Sequence, residues 1–214
     1  MRPDRLIAVT ATGTEIGKTW VAAHVATSLR DRGVRVAARK PAQSFDPNDA
    51  HPTDAEVLAA ATGERPHDVC VQHRWYPTPL APTMAAAALG LPAFTITDLA
   101  AELVWPDAIQ IGIIEGAGGI HSPLADDGDT LTLINAVRPD LVVVVADPEL
   151  GTINNIRLTT GALRDHPHVV HLNRYDRSHD LHRRNHAWLT DRDQFTVTTS
   201  IDMLVSMLTE YHAD

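Results

Sequence analysis

The 214-residue chain has a single cysteine, Cys70. An intrachain disulfide is therefore impossible, the fold must rest on its core, and a reducing cytoplasm is the expected setting. Long apolar runs are missing too. The longest aliphatic stretch, Leu141 to Ala146, is far short of the roughly 20 residues of a membrane span. The opening Met1-Arg2-Pro3-Asp4-Arg5 carries no apolar segment of a secretory leader. Positive charge is in deficit, with 18 Lys and Arg against 27 Asp and Glu and a net charge of −9. Nucleic acid and anionic lipid are thus set aside as partners. Aromatics are few: four Trp, three Tyr and three Phe. The apolar content is mostly Ala, Val, Leu and Ile, which suits helices packed on a parallel sheet. Twelve His begin to cancel the negative charge near pH 6.5, so solubility is expected to fall on acidification.

Such a chain fits one core, since single domains run to roughly 250 residues. Leu6–Thr10 reads as a buried strand and Lys18–Arg32 as a helix stopped by Gly33. Val34–Ala38 is a second strand. Thr53-Asp54-Ala55-Glu56 forms a capping box for an Ala-rich helix ending near Gly63. The proline-rich stretch from His73 to Pro82 is expected to be loop. Helical pieces follow at Met84–Leu89 and Thr97–Val104, then a strand at Ile109–Ile114. Leu141–Ala146 and Val169–Leu172 read as strands around a helix from Gly151 to Arg164. His179–Leu189 and Ile201–Tyr211 look helical, with Phe195–Thr199 extended between them. Strands alternating with helices predict an α/β fold: one doubly wound, mostly parallel sheet in a single domain spanning residues 1–214.

The strongest chemical signal is Thr12-Gly13-Thr14-Glu15-Ile16-Gly17-Lys18-Thr19, between the first strand and the first helix. There, backbone N–H groups and the positive helix end face one point, which suits a polyphosphate. Gly17 permits close approach, Lys18 reaches the terminal phosphates and the Thr19 hydroxyl can ligate magnesium. The usual glycine is replaced by Thr12. Glu115-Gly116-Ala117-Gly118-Gly119 puts a carboxylate at the end of a buried strand, where open α/β sheets bind ligands. Beside a triphosphate, Glu115 would hold magnesium; alone, it is a surface acid before a turn.

Other segments are open on position alone. The helix dipole accounts for Asp54. Lys40-Pro41-Ala42-Gln43-Ser44 follows the second strand, where Lys40 could neutralise a phosphoryl group and Ser44 hold a polar substrate, or the lysine could simply be solvated. Leu150-Gly151-Thr152-Ile153-Asn154 opens a helix whose N–H groups could cradle a carboxylate or meet water. His179, His182 and His186 share one helical face, expected to be solvated rather than a metal site. Cys70 reads as a small buried hydrophobe.

In this order, these segments resemble the dethiobiotin synthetase family over Leu6 to Arg174. Tyr76-Pro77-Thr78-Pro79-Leu80-Ala81-Pro82 and Leu158-Thr159 add to the likeness. The resemblance implies a P-loop fold and an ATP-dependent cyclo-ligase. A diamine takes up carbon dioxide (or bicarbonate) as a carbamate, the carbamate attacks the γ-phosphate of MgATP, and the second amine closes a cyclic urea. It assigns Lys18, Lys40 and Glu15 to catalysis and Thr19, Asp54 and Glu115 to Mg2+. The nucleotide falls to Thr14, Glu15, Ile16, Gly17, Lys18, Thr19 and Trp20, to Glu115, Gly116, Ala117 and Gly118, and to Asn173 and Arg174. Ser44, Pro79, Gly151, Thr152, Ile153 and Asn154 fall to the diamine substrate, with Gly151–Ile153 acting across a homodimer.

Some positions depart from the family pattern. Ala11 stands where a first glycine is usual. Phe45 and Asp46 replace a small residue, leaving the shape of the diamine pocket open. His121 and Ser122 replace an apolar or aromatic pair, and Asn155 a histidine. The Pro-containing nucleotide loop is not found, so base preference is open. Rival readings are a relative acting on another amine, a partner-regulated ATPase of the ParA/MinD kind, and a binding protein without catalysis. The second is disfavoured because Gly13 stands where those ATPases carry an extra lysine.

Overall fold

The computed structural model describes residues 1–210. Six strands form the main sheet: β1 (Arg5–Ala11), β2 (Val36–Arg39), β5 (Ile111–Glu115), β8 (Leu141–Ala146), β9 (His168–Leu172) and β10 (Val197–Thr198). Their order is β10-β9-β8-β1-β5-β2, and every pairing is parallel. β1 lies at the centre, with Val9 opposite Glu115 of β5 and Val143 of β8. Alternation along β1 serves two layers. Ile7, Val9 and Ala11 pack toward α1 (Lys18–Asp31), α2 (Asp54–Thr62) and α9 (Ile201–Glu210). Leu6 and Ala8 face the opposite layer, with α4 (Pro82–Ala88), α5 (Ile96–Ala101) and α6 (Thr130–Val137). Ile156 of α7 (Thr152–Ala162) covers the sheet nearer β9. The expected doubly wound parallel sheet is therefore present.

Several local expectations change. The stretch from His73 to Pro82 is not all loop: a 3-10 turn at Gln72–Arg74 leads into β4 (Trp75–Tyr76), paired in parallel with β3 (Gln43–Ser44). This small ladder ties the segment after β2 to the proline-rich one, and the Phe45 N–H donates to the Tyr76 carbonyl at 3.0 Å. β6 (Pro123–Ala125) and β7 (Gly128–Asp129) form a hairpin, and Asp129 caps α6 by accepting from Thr132 N at 2.8 Å. None of these three elements shows in the periodicity. α3 (Pro66–Val69) begins with proline, and α8 (Asp180–Ala187) runs into a π turn at Trp188–Arg192. The last helix reaches Glu210; Tyr211, expected within it, lies outside the described residues.

β2 lies at one edge of the sheet, and side chains and loops occupy its open backbone groups. The Ala38 N–H donates to Glu64 Oε2 at 2.8 Å, and the Lys40 N–H to the Val69 carbonyl at 2.8 Å. Arg39 secures the carboxylate with a 2.7 Å ion pair to Glu64. Among the described residues, no helix is long and apolar enough to cross a membrane.

Candidate active site

Turns that follow β1, β2 and β5 converge at the carboxyl ends of those strands, where open parallel sheets take ligands. Between β1 and α1 the chain makes a tight loop. Gly17, the residue before α1, has φ +90°. A Cβ there would come within 2.4 Å of the Asn173 side-chain amide, so this position requires glycine twice over. The Asn173 amide donates to the Ile16 carbonyl at 2.9 Å, tying the segment after β9 to the loop. Glu15 has φ 57°, a left-handed backbone that non-glycine residues rarely take and that clusters at ligand sites.

Lys18 begins α1 and is buried, its Nζ 3.5 Å from the Gly13 carbonyl. Burial and the neighbouring positive charge of Lys40 hold it below its ordinary value. At the next residue of α1, the Thr19 hydroxyl lies 2.8 Å from Asp54 Oδ1 and 2.9 Å from Glu115 Oε1. It carries one proton and can donate to one carboxylate at a time.

Lys40 closes this cluster. Its Nζ lies 2.6 Å from Asp54 Oδ2, 2.6 Å from Glu115 Oε1 and 3.3 Å from the Gly116 carbonyl. Burial opposes the charge on Lys40, yet the two carboxylates overcome it and raise its pKa. Asp54 is held below the usual range, chiefly by the Lys40 ammonium. Glu115 is fully buried, and burial pushes it up despite Lys40. Its Oε2 has no hydrogen-bond partner among the described residues. Two carboxylates, one of them with an unpartnered buried oxygen, and one hydroxyl make a hard-oxygen donor set that fits Mg2+, which takes one or two carboxylates and completes its shell with phosphate and water. Among the described residues there is no group of three or more His, Cys, Asp or Glu able to hold a metal by itself.

The cluster borders a cleft of about 370 Å3. Thr14, Glu15, Gly17, Lys18, Thr19, Lys40, Ser44, Asp54, Ala117 and Gly118 of the expected site residues line it, together with Gln43, which sequence reasoning left without a role. Gly116 packs against Thr130 where a Cβ would intrude at 2.5 Å, so the turn after β5 lies directly on α6. Ser44 donates its hydroxyl to the Leu80 carbonyl, bringing the proline-rich segment to the cleft rim.

Other expected residues lie elsewhere. Pro79 is exposed, and Ile16 and Gly116 are not among the residues that line the cleft. Trp20 is exposed on α1 and stacks on His24 with ring centroids 3.8 Å apart. Arg174 is exposed, 3.6 Å from Asp147. Gly151–Asn154 open α7 outside this cleft, with Leu150 and Leu158 exposed beside them.

The expected solvated histidine face needs correction. His182 is buried, accepts the Asp176 N–H on Nδ1 at 3.0 Å and faces Glu149 Oε1 through Nε2 at 3.1 Å. Glu149 is remote in sequence, so spacing alone could not reveal the pair. Cys70 is buried as expected, its thiol pushed up to about 12 by desolvation.

A family described as AAA domain matches residues 5–204. An ATP-dependent dethiobiotin synthetase BioD from Corynebacterium efficiens is 38% identical over 165 residues, 74% of this chain and 70% of that protein. Two solved structures share the fold. A cobyrinic acid a,c-diamide synthase from Mycobacterium smegmatis, with bound ATP analog and magnesium, has a TM-score of 0.56 at 17% identity, covering 96% of each chain. A plasmid partition protein from Borrelia burgdorferi has a TM-score of 0.58 at 10% identity, covering 98% of this chain and 99% of its own.

Proposed function

The chain belongs to the dethiobiotin synthetase family, and on that premise we propose how its residues carry out ATP-dependent dethiobiotin synthesis in biotin biosynthesis. The substrates are a diamine (7,8-diaminononanoate), carbon dioxide or bicarbonate, and ATP. The observation that carries the reading is the meeting of Lys40 with both Asp54 and Glu115 at 2.6 Å, beside Thr19 and the buried Lys18.

The loop from Thr12 to Thr19 receives the phosphates on its backbone N–H groups and the start of α1. Lys18 and Lys40 offset charge on the moving phosphoryl group, a task of positioning and electrostatics. Thr19, Asp54 and Glu115 hold Mg2+, which when bound supplies charge neutralisation to the phosphate oxygens. Glu15 and Ser44 sit by the carbamate and the diamine. Asn173, with Arg174, lies on the nucleotide side. The protein works as a single domain in a cytoplasmic homodimer, with Gly151–Ile153 of one subunit capping the substrate carboxylate of the other. Exposed Leu150 and Leu158 on either side of that segment support such an interface.

Phosphate release tests this reading, measured over a panel of diamines with and without bicarbonate. Release is expected only when diamine and bicarbonate are both present. Release stimulated by a protein or polymer partner instead would support a regulatory ATPase, and no release under any condition would support a binding protein.

A further inference from the structure

Gln43 lines the cleft and is almost fully buried. Its amide orientation is fixed by chemistry. The Ala55 backbone N–H lies 2.9 Å from one end of the amide, and since a backbone N–H can only donate, that end is the oxygen. The NH2 end must then point the other way. There Nε2 is buried and has no hydrogen-bond partner among the described residues. Buried donors are seldom left unmade, because an unpaired one costs about 1–3 kcal/mol. The same side chain thus holds α2 at the residue after Asp54 and keeps two N–H donors at a cleft lined by two lysines.

We infer that Gln43 is a further binding residue, its Nε2 donating to an anionic oxygen lodged between Lys18 and Lys40. The inference rests on the proposed function and deepens it. Lysines supply charge from a flexible stem, whereas an amide locked at its other end supplies a fixed direction. Two sources carry this chemistry: a phosphate oxygen of the nucleotide and a carbamate oxygen on the diamine.

The chain has four glutamines, Gln43, Gln72, Gln110 and Gln194, and labelling these alone with 15N at the side-chain amide leaves four readily resolved signals. The Gln43 signal is assigned by its loss in Gln43→Glu. The first titration uses the magnesium complex of a non-hydrolysable ATP analogue; the second adds diamine and bicarbonate, with calorimetry recording binding in both. A Gln43 shift in the first identifies a phosphate oxygen, and one only in the second a carbamate oxygen. Gln43→Glu retains an acceptor for Ala55, so its Tm is expected to stay near that of the wild type. Its Kd for the analogue or its KM for the diamine, whichever matches the responding titration, is expected to rise tenfold or more. Gln43→Met, which adds no charge, should show the same loss of affinity. A silent Gln43 signal in both titrations, with heat released in the first, overturns the inference alone. No heat at all overturns the functional reading and this inference with it.

Discussion

The side-chain amide of Asn173 lies 2.4 Å from the point a Cβ on Gly17 would occupy, and it donates to the carbonyl of the preceding residue. The turn after β9 is thereby latched to the loop after β1, across β8. Gly17 is needed both for its backbone conformation and for the room it leaves Asn173.

Gly17→Ala should lose about 2 kcal/mol from the left-handed backbone alone, roughly 4–8 °C in Tm. Nucleotide affinity should fall further, because the loop cannot keep its shape. Asn173→Ala combined with Gly17→Ala removes the collision but not the backbone cost. The double variant is therefore expected to melt above Gly17→Ala and below the wild type, as read by calorimetric scans.

Lys40→Met leaves Glu115 buried without its counter-ion, an expected loss of about 3–5 kcal/mol at neutral pH. Burial already raises the pKa of Glu115 above its ordinary 4.5. In the variant the folded state therefore binds more protons than the unfolded state above pH 4.5, and stability should fall as pH rises through that range. Adding Glu115→Gln should restore stability while turnover stays absent. Urea melts from pH 4.5 to 8 check both points.

His171 lies buried in β9, its ring 2.9 Å from Thr198 Oγ1, and desolvation lowers its pKa from 6.5 to about 4. The unfolded chain then takes up a proton between pH 6.5 and 4 that the folded chain refuses. Stability should drop on acidification through that window, by up to about 3 kcal/mol. His171→Leu should flatten the pH dependence of the urea midpoint between pH 4 and 6.5.

Asp54→Asn should raise the magnesium concentration for half-maximal nucleotide binding tenfold or more, about 1.4 kcal/mol. The capping box formed by Thr53 and Glu56 is left intact, so α2 should persist by circular dichroism. In the wild type, chelation of magnesium should abolish phosphate release.

The phosphate loop is legible because the apolar run Leu6–Val9 stops short of it and a helical period begins just after Gly17. Glu115 could be placed because a continuous apolar run ends on it. What the chain order did not disclose is which groups touch. Asp54 follows a capping threonine, and the dipole alone explains an acid there; its pairing with Lys40 requires the β3–β4 ladder that steers the intervening segment. α6 is hard to read from the chain because eight residues between a hairpin and a strand give little periodicity, and its start depends on Asp129. His182, followed by Arg183 and Arg184, reads as solvated, yet it is buried between a local partner, the Asp176 N–H, and a distant one, Glu149.

Glu64 and Val69 occupy the N–H groups of Ala38 and Lys40 at the β2 margin, while β10 at the far margin is two residues long. Each border thus presents only a short open ladder to a foreign strand. Helices and turns are the surfaces this leaves most open to a second copy, so pairing by added strands is disfavoured at both borders of the main sheet.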